Sequence, residues 1–167
     1  ASDGTYSIAV ASAVDANGGY HVYAHEWELD DDNLFHLEEQ WNVVSGATGI
    51  NFHYVYADAF VEGNALDEDG KPIADVRIYA SSDLPPWNWS EAKTDATGAF
   101  KVELISGEWW IRMEAWDLMP SYMVPRDTLL SVTSGTTVSL NMAATSTDAT
   151  ITGTVTLDGS PFPQISV

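Results

Sequence analysis

The stretch Val61-Glu62-Gly63-Asn64-Ala65-Leu66, with the turn Asp69-Gly70-Lys71-Pro72 after it, is the most informative part of the sequence because it occurs a second time in the chain. The second copy is Ile151-Thr152-Gly153-Thr154-Val155-Thr156-Leu157, followed by the turn Asp158-Gly159-Ser160-Pro161. Gly63 and Gly153 are 90 residues apart, and Gly70 and Gly159 are 89 residues apart. Self-similarity at a fixed spacing indicates repeated structural units, here of about 90 residues each.

Other parts of the chain repeat at nearly the same spacing. The matching segments are 18–24 with 107–113, 45–48 with 134–137, and 3–8 with 97–102. The first two pairs are offset by 89 residues and the third by 94. We therefore predict three parts: a partial unit at 1–59 that lacks its first strands, a complete unit at 60–148, and the first strands of a further unit at 149–167.

The two incomplete ends are expected to complete each other. A partial sandwich exposes an unpaired strand edge and an open core, which water does not tolerate. We call the predicted strands of segment 149–167 the assembly strands. Their apolar side chains, Ile151, Val155, Leu157 and Ile165, would be buried against the partial unit of the same chain or of a neighbouring chain. Transfer between chains is a head-to-tail contact that gives a fibre unless the geometry closes a ring. The alternative is that the chain is a piece of a longer tandem array.

Alternation of apolar and polar residues with a period of two dominates the sequence. In the complete unit the apolar residues of each predicted strand lie on one face, at every second position. The six faces are Val61, Gly63 and Ala65; Val76, Ile78 and Ala80; Phe100, Val102 and Leu104; Trp109, Ile111 and Met113; Leu130 and Val132; and Val138, Leu140 and Met142. Short strands separated by turns every 8 to 12 residues predict an all-β protein of two tandem β-sandwich units. One segment, from Asp32 to Trp41, has helical spacing, although a strand or an irregular loop is equally compatible with it.

These residues resemble a known family. The order Val61-x-Gly63-x-Ala65, Asp69-Gly70-Lys71-Pro72-Ile73, Thr94-Asp95-Ala96-Thr97-Gly98 and Gly107-x-Trp109-x-Ile111 is similar to the carboxypeptidase regulatory-like domain, a transthyretin-like sandwich related to Cna B-type domains. The resemblance implies an extracellular module that serves as a spacer, an adhesive segment or an enzyme appendage. It does not imply the isopeptide cross-link of Cna B-type domains, because residues 61–66 contain no Lys.

Composition and charge exclude several classes of function. Six Lys and Arg residues against 25 Asp and Glu residues give a net charge of −19, so binding to nucleic acid or to an anionic membrane surface is electrostatically unfavourable. No apolar run reaches the ~18 residues needed to span a bilayer, so membrane insertion is not expected. The chain has no Cys, which excludes disulfides and thiolate metal sites.

Aromatic residues mark two candidate binding sites. Strand alternation places Trp110 and Trp116 on the outer face of the complete unit, and Tyr23 and Trp27 on the equivalent face of the partial unit. Such a face is expected to be covered by a loop, a neighbouring domain or another subunit, to bind polysaccharide, or to carry scattered exposed aromatics without a specific role. The loop Pro85-Pro86-Trp87-Asn88-Trp89-Ser90 offers Trp87 and Trp89 to a ligand or partner, or folds over its own sheet. Asn88-Trp89-Ser90 is also an N-glycosylation acceptor sequence.

Acidic clusters are candidate Ca²⁺ sites, because Ca²⁺ prefers carboxylate oxygens. The candidates are Asp30, Asp31 and Asp32 in one loop, and Asp67 and Asp69 in the turn after the first strand. Catalysis has little support, since no nucleophile motif is present and His21 and His25 lie about 13 Å apart along a strand. The sequence therefore predicts an extracellular, non-enzymatic structural or adhesive protein that self-associates or contacts neighbouring repeats. The alternatives are a carbohydrate-binding module and an accessory domain of a secreted enzyme.

Overall fold

The structure, a computed structural model, describes residues 4–11, 18–24 and 34–162. Before the complete unit the strands are β1 (Tyr20–Val22), β2 (Leu34–His36), β3 (Gln40–Val43) and β4 (Tyr54–Tyr56). The complete unit contains β5 (Ala59–Leu66), β6 (Arg77–Ser82), β7 (Trp89–Lys93), β8 (Ala99–Leu104), β9 (Gly107–Met113), β10 (Tyr122–Met123), β11 (Thr128–Val132), β12 (Thr137–Ser139), β13 (Met142–Ala143) and β14 (Thr145–Ser146), with a 3-10 turn at Ala115–Asp117. The last two strands are β15 (Thr156–Leu157) and β16 (Ser160–Pro161).

Two four-stranded sheets, with the small β10–β14 ladder beside them, form the complete unit, so the predicted all-β sandwich class is confirmed. One sheet has the strand order β11-β9-β6-β7, and all of its neighbours are antiparallel. In the other sheet β5 is central: β8 pairs with it antiparallel, and β12 and β13 pair with it parallel. The first strand of the unit is thus hydrogen-bonded along both edges.

The core lies between these two sheets and contains the side chains that alternation predicts. Val61 and Ala65 of β5 belong to the same buried cluster as Ile78 and Ala80 of β6. The other expected members that are buried there are Val76, Phe100, Val102, Leu104, Trp109, Ile111, Met113, Val132 and Met142. Each of these strands also presents exposed or half-buried residues between the buried ones, so the period of two predicts their inner faces correctly.

Phe35 enters this core from outside the complete unit. It lies on β2, only 1% of it is exposed, and its ring meets Trp109 edge-on at a centroid distance of 5.7 Å. The helix considered for 32–41 is not formed in the described residues 34–41, where β2 and the start of β3 are extended. Tertiary burial of Phe35 therefore outweighs the local helical spacing of Leu34, Leu37 and Trp41.

Asn88 fixes β2 to the proline-containing loop. Its side-chain oxygen accepts a hydrogen bond from the backbone N–H of His36 at 3.1 Å, and its amide nitrogen donates to the His36 carbonyl at 2.9 Å. Asn88 is buried, as is Ser90. Because its amide is enclosed in this way, Asn88 is a structural clamp rather than an accessible glycosylation site in the folded chain.

Strand pairing recurs at the spacing of the sequence repeat. In the complete unit β10 pairs antiparallel with β14, and Met123 lies opposite Thr145. In the partial unit β2 pairs antiparallel with β4, and Leu34 lies opposite Tyr56. Both members of the second pair precede those of the first by 89 residues, so the two ladders have the same register. The antiparallel pairing of β9 with β11 likewise has a counterpart in β1 with β3, with an irregularity between Tyr20 and Val22.

The contribution of Phe35 can be tested by substitution. Phe35→Ala should lower the free energy of unfolding of the complete unit by about 3–5 kcal/mol, because it removes a buried ring and leaves a cavity beside Trp109. Urea unfolding followed by tryptophan fluorescence measures the change. Leu37→Ala, on an exposed neighbour, is the matched control and should have a much smaller effect. Equal effects of the two variants would contradict the placement of Phe35.

Candidate functional site

The segment after the complete unit ends in a small hairpin formed by β15 and β16, which we call the tail hairpin. Thr156 lies opposite Pro161, and the N–H of Phe162 donates to the carbonyl of Val155 at 2.8 Å. The complete unit contains the same arrangement at the end of β5. There Leu66 bridges to Pro72, and the N–H of Ile73 donates to the carbonyl of Ala65 at 2.9 Å. The tail hairpin therefore has the local conformation of the first turn of a complete unit.

The apolar residues of the tail segment are exposed. Ile151 is fully exposed, and Val155 and Leu157 are 41% and 58% exposed. At the equivalent positions of β5, Val61 and Ala65 are completely buried. Among the described residues β15 pairs with β16 alone, so completion of the partial unit within one chain is not seen there.

A second exposed apolar face lies near the N-terminus. In segment 4–10, Tyr6, Ile8 and Val10 are 50%, 58% and 43% exposed. Their equivalents on β8 in the complete unit are Phe100, Val102 and Leu104, which are buried in the core. The two segments that correspond to β5 and β8 thus both expose residues that a complete unit buries.

The complete unit defines how these two segments would pair. Val61 of β5 lies opposite Val102 of β8, and Gly63 lies opposite Phe100. Applying the offsets of the sequence repeat places Ile151 opposite Ile8, and Gly153 opposite Tyr6. Val102 and Phe100 are the equivalents of Ile8 and Tyr6 by their common offset of 94 residues.

Gly63 explains why the repeated motif contains glycine at this position. A Cβ atom on Gly63 would overlap the carbonyl group of Leu140, which lies between β12 and β13. The parallel strands can approach β5 closely only because this residue has no side chain. Gly153 occupies the equivalent position of the tail segment, where a Cβ atom would meet nothing within 4 Å. In this chain the close contact that would require Gly153 is not made.

An aromatic row crosses the outer face of the sheet formed by β11, β9, β6 and β7. Leu129 lies opposite Trp110, Trp110 opposite Ser81, and Ser81 opposite Trp89. Trp110 and Trp89 are 38% and 45% exposed, and two strand spacings separate their backbones by about 10 Å. Ser81, with its small side chain, lies between them on β6.

Neighbouring side chains hold the two indoles in place. The indole N–H of Trp110 donates to Asp83 at 2.5 Å, and the ring of Trp89 stacks on Tyr79 at 6.1 Å with an angle of 10° between the planes. The guanidinium of Arg112 lies 4.5 Å from the Tyr79 ring centroid. Burial raises the pKa of Tyr79, and Arg112 partly opposes this rise.

The other predicted aromatic residues do not join this row. Trp116 lies on the 3-10 turn and is the most exposed Trp of the described residues, while Trp87 is exposed in the proline-containing loop. The 3-10 turn is held by Arg77, whose guanidinium pairs with Asp117 at 3.0 Å and lowers the pKa of that carboxyl. Tyr23 contacts His21 at a ring-centroid distance of 4.9 Å. Trp27 lies outside the described residues.

Of the acidic residues predicted to bind Ca²⁺, Asp67 and Asp69 lie in the described part of the chain. One carboxylate oxygen of Asp67 accepts hydrogen bonds from the backbone N–H groups of Asp69 and Lys71, so it stabilises its own turn. Asp69 is exposed. Within residues 4–11, 18–24 and 34–162 no group of three or more acidic or His side chains is arranged to hold a metal ion. Asp30, Asp31 and Asp32, like the assembly-strand residue Ile165, lie outside the described residues, and a Ca²⁺ site there stays a prediction.

Some important residues were not predicted from the sequence. Phe35 and Asn88 join the partial unit to the complete unit, and the ring of His21 stacks on Trp41 at 3.6 Å. The side chain of His21 also pairs with Glu39 at 3.1 Å. The apolar character of Phe35 is a sequence signal for burial, but it does not indicate which core the ring enters.

Comparison with known proteins gives partial structural likenesses. No protein-family model and no curated protein matches the chain. Solved structures similar to it include the Bacillus anthracis TIE protein (14% identity, 57% of this chain and 18% of that one, TM-score 0.45) and a minor pilin of Streptococcus agalactiae (12%, 77% and 66%, 0.44). A 3-chlorocatechol 1,2-dioxygenase of Rhodococcus opacus matches at 12% identity over 53% of this chain and 60% of that one, with a TM-score of 0.41. The chain spans about a fifth of the first protein's length and just under two thirds of the second's.

In the described part of the chain, every helical segment is too short to cross a lipid bilayer.

Proposed function

We propose that this protein is an extracellular, non-enzymatic structural protein that assembles by strand complementation. In this proposal the tail segment 149–162 of one copy inserts beside segment 4–10 of the next copy and takes the place that β5 has in the complete unit. The observation that carries the proposal is that equivalent positions are buried in the complete unit and exposed at both ends of the chain.

Burial of the exposed faces supplies the driving force. Insertion would cover Ile151 and Val155 of one copy together with Tyr6, Ile8 and Val10 of the other. Each buried large apolar side chain contributes about 1.5–3 kcal/mol relative to exposure. The backbone groups of the tail segment would also gain ladder partners, as β5 has on both edges. A lone two-stranded hairpin such as β15–β16 has neither source of stability.

The geometry of the tail hairpin favours this insertion. Its hydrogen bond from Phe162 to Val155 already reproduces the bond from Ile73 to Ala65 that ends β5. Gly153 retains the small side-chain volume that Gly63 needs against Leu140. The donated segment would therefore enter in nearly its final conformation, which reduces the entropy lost on ordering.

The contact is head-to-tail, because donor and acceptor are different parts of the same chain. Such a contact propagates into a fibre unless rotation between copies closes a ring. A net charge of −19 suits solubility of such an assembly outside the cell. Insertion of the tail segment into its own chain, and membership of a longer tandem array, are the competing versions, and they predict a different pattern of cross-links.

The outer aromatic row supports a second candidate function, binding of a neutral polysaccharide. Sugar rings stack on Trp faces, and the indoles of Trp110 and Trp89 are exposed and held about two strand spacings apart. The excess of carboxylates disfavours an anionic polymer. The row combines one member from each of the two pairs considered from the sequence.

Gly153 gives a test of assembly that leaves the single chain unchanged. Gly153→Ala should abolish self-association, because the added Cβ atom would strike the acceptor backbone as it would at Gly63, whereas nothing lies within 4 Å of it in the single chain. Molecular mass by light scattering over a range of concentrations measures the effect, and a melting curve checks the fold. Thr152→Ala, on the neighbouring outward position, is the control and should assemble normally. Assembly of Gly153→Ala at the level of the natural sequence would contradict the proposal.

Cysteine pairs test the register. Glu62 lies opposite Lys101 in the complete unit, so their equivalents Thr152 and Ser7 should be opposite each other between copies. Because the chain has no Cys, the double variant Ser7→Cys with Thr152→Cys should give a ladder of covalent oligomers on oxidation.

The control for this pair is Ser7→Cys with Thr154→Cys, which shifts one cysteine by two residues on the same strand face and should cross-link much less. A cross-link that leaves the mass of a single chain would indicate insertion into the same chain and would overturn the fibre model. Absence of cross-linking in both pairs would overturn strand complementation itself.

Single substitutions test the polysaccharide candidate. Trp89→Ala and Trp110→Ala should each weaken retention on insoluble β-glucan or chitin by about tenfold, since each removes a stacking surface. Pull-down with increasing polysaccharide measures retention, and light scattering should show unchanged assembly. Trp116→Ala removes an exposed Trp away from the row and should have no effect. Absence of retention by the natural sequence on both polymers would remove this candidate.

A further inference from the structure

One side chain joins the two edges between which the tail segment would insert. The hydroxyl of Tyr6 donates a hydrogen bond to the carbonyl of Ile50 at 2.6 Å, and the Tyr6 ring lies 5.9 Å from that of Phe52. We call the space between segment 4–10 and segment 45–52 the acceptor slot. By the sequence repeat these two segments correspond to β8 and to segment 134–141, which contains β12.

In the complete unit the corresponding segments are separated. β5 lies between β8 and β12, and it is paired with both of them. Neighbouring strands are about 4.8 Å apart, so the two outer strands lie about 10 Å from each other. In this chain Tyr6 contacts Ile50 across the acceptor slot, and among the described residues no strand pairs with segment 4–10.

The equivalent residue in the complete unit has no hydroxyl group. Phe100 corresponds to Tyr6, and it is buried in the core opposite Gly63. A Phe side chain is therefore sufficient to fill this core position in a complete unit. In the single chain the phenolic oxygen of Tyr6 makes a hydrogen bond. In a unit completed by a second copy it would lie where the complete unit has only the apolar ring of Phe100.

We infer that Tyr6 is a latch that closes the acceptor slot until a tail segment of a second copy displaces it. This inference rests on the proposed function, because the displacing segment is the tail of another copy. The Tyr6 hydroxyl satisfies the Ile50 carbonyl and keeps the two edges together, so the open edge is partly protected from indiscriminate pairing. Insertion must break this hydrogen bond, which slows assembly without adding to the stability of the product.

Tyr6→Phe tests the latch, because it removes the hydroxyl and retains the ring. A labelled synthetic peptide with the sequence of residues 149–162 is mixed with the whole chain, and association and dissociation rates are followed by fluorescence anisotropy. The association rate should rise roughly two- to tenfold, which corresponds to loss of one hydrogen bond before insertion, while the dissociation rate should change little. Tyr79→Phe, on the outer face of the complete unit, is the matched control and should leave both rates unchanged.

A second variant separates the latch from a simple packing role. Tyr6→Ala removes both the hydroxyl and the ring, so it should bind the peptide more weakly through faster dissociation. Equal association rates for Tyr6→Phe and the natural sequence, with binding intact, would overturn the latch alone. Failure of the peptide to bind any of these chains would overturn the proposed function and the latch together.

Discussion

Central pairing of β5 is the constraint on which the complete unit depends. This strand hydrogen-bonds to β8 on one edge and to β12 and β13 on the other, and its inner side chains Val61 and Ala65 are fully buried. Gly63 lets the parallel strands approach. A unit of this kind that lacks its first strand loses the ladder partners of three strands and one wall of its core. Strand complementation would restore both, which is why the ends of the chain carry the functional interest.

The partial unit is nevertheless tied to the complete one. Phe35 fills a position in the core between the two sheets, and Asn88 bonds to both backbone groups of His36. These contacts anchor the β2–β4 ladder, whose register repeats that of β10–β14. The tail segment and segment 4–10 both expose apolar residues whose equivalents in the complete unit are buried.

The members of the outer aromatic row were predicted from the sequence, but their proximity was not. Alternation correctly placed Trp110 outside, and the loop sequence marked Trp89 as unusual. It could not bring these two residues together, because their proximity depends on β6 lying between β7 and β9. Trp87 and Trp116, their partners in the sequence-based pairs, lie in a loop and on a 3-10 turn instead.

The all-β class and the inner faces of the strands follow from the local period of two in the sequence. Self-similarity along the chain predicts the equivalence of residues about 90 positions apart. Three contacts became visible in the folded chain alone: Phe35 enters the core between the two sheets, Asn88 is enclosed, and Tyr6 contacts Ile50. Each of these depends on long-range packing between segments whose separation along the chain carries no periodic signal. The alternation of apolar and polar residues indicates which side of a strand is apolar, whereas the residues that cover this side depend on packing in three dimensions.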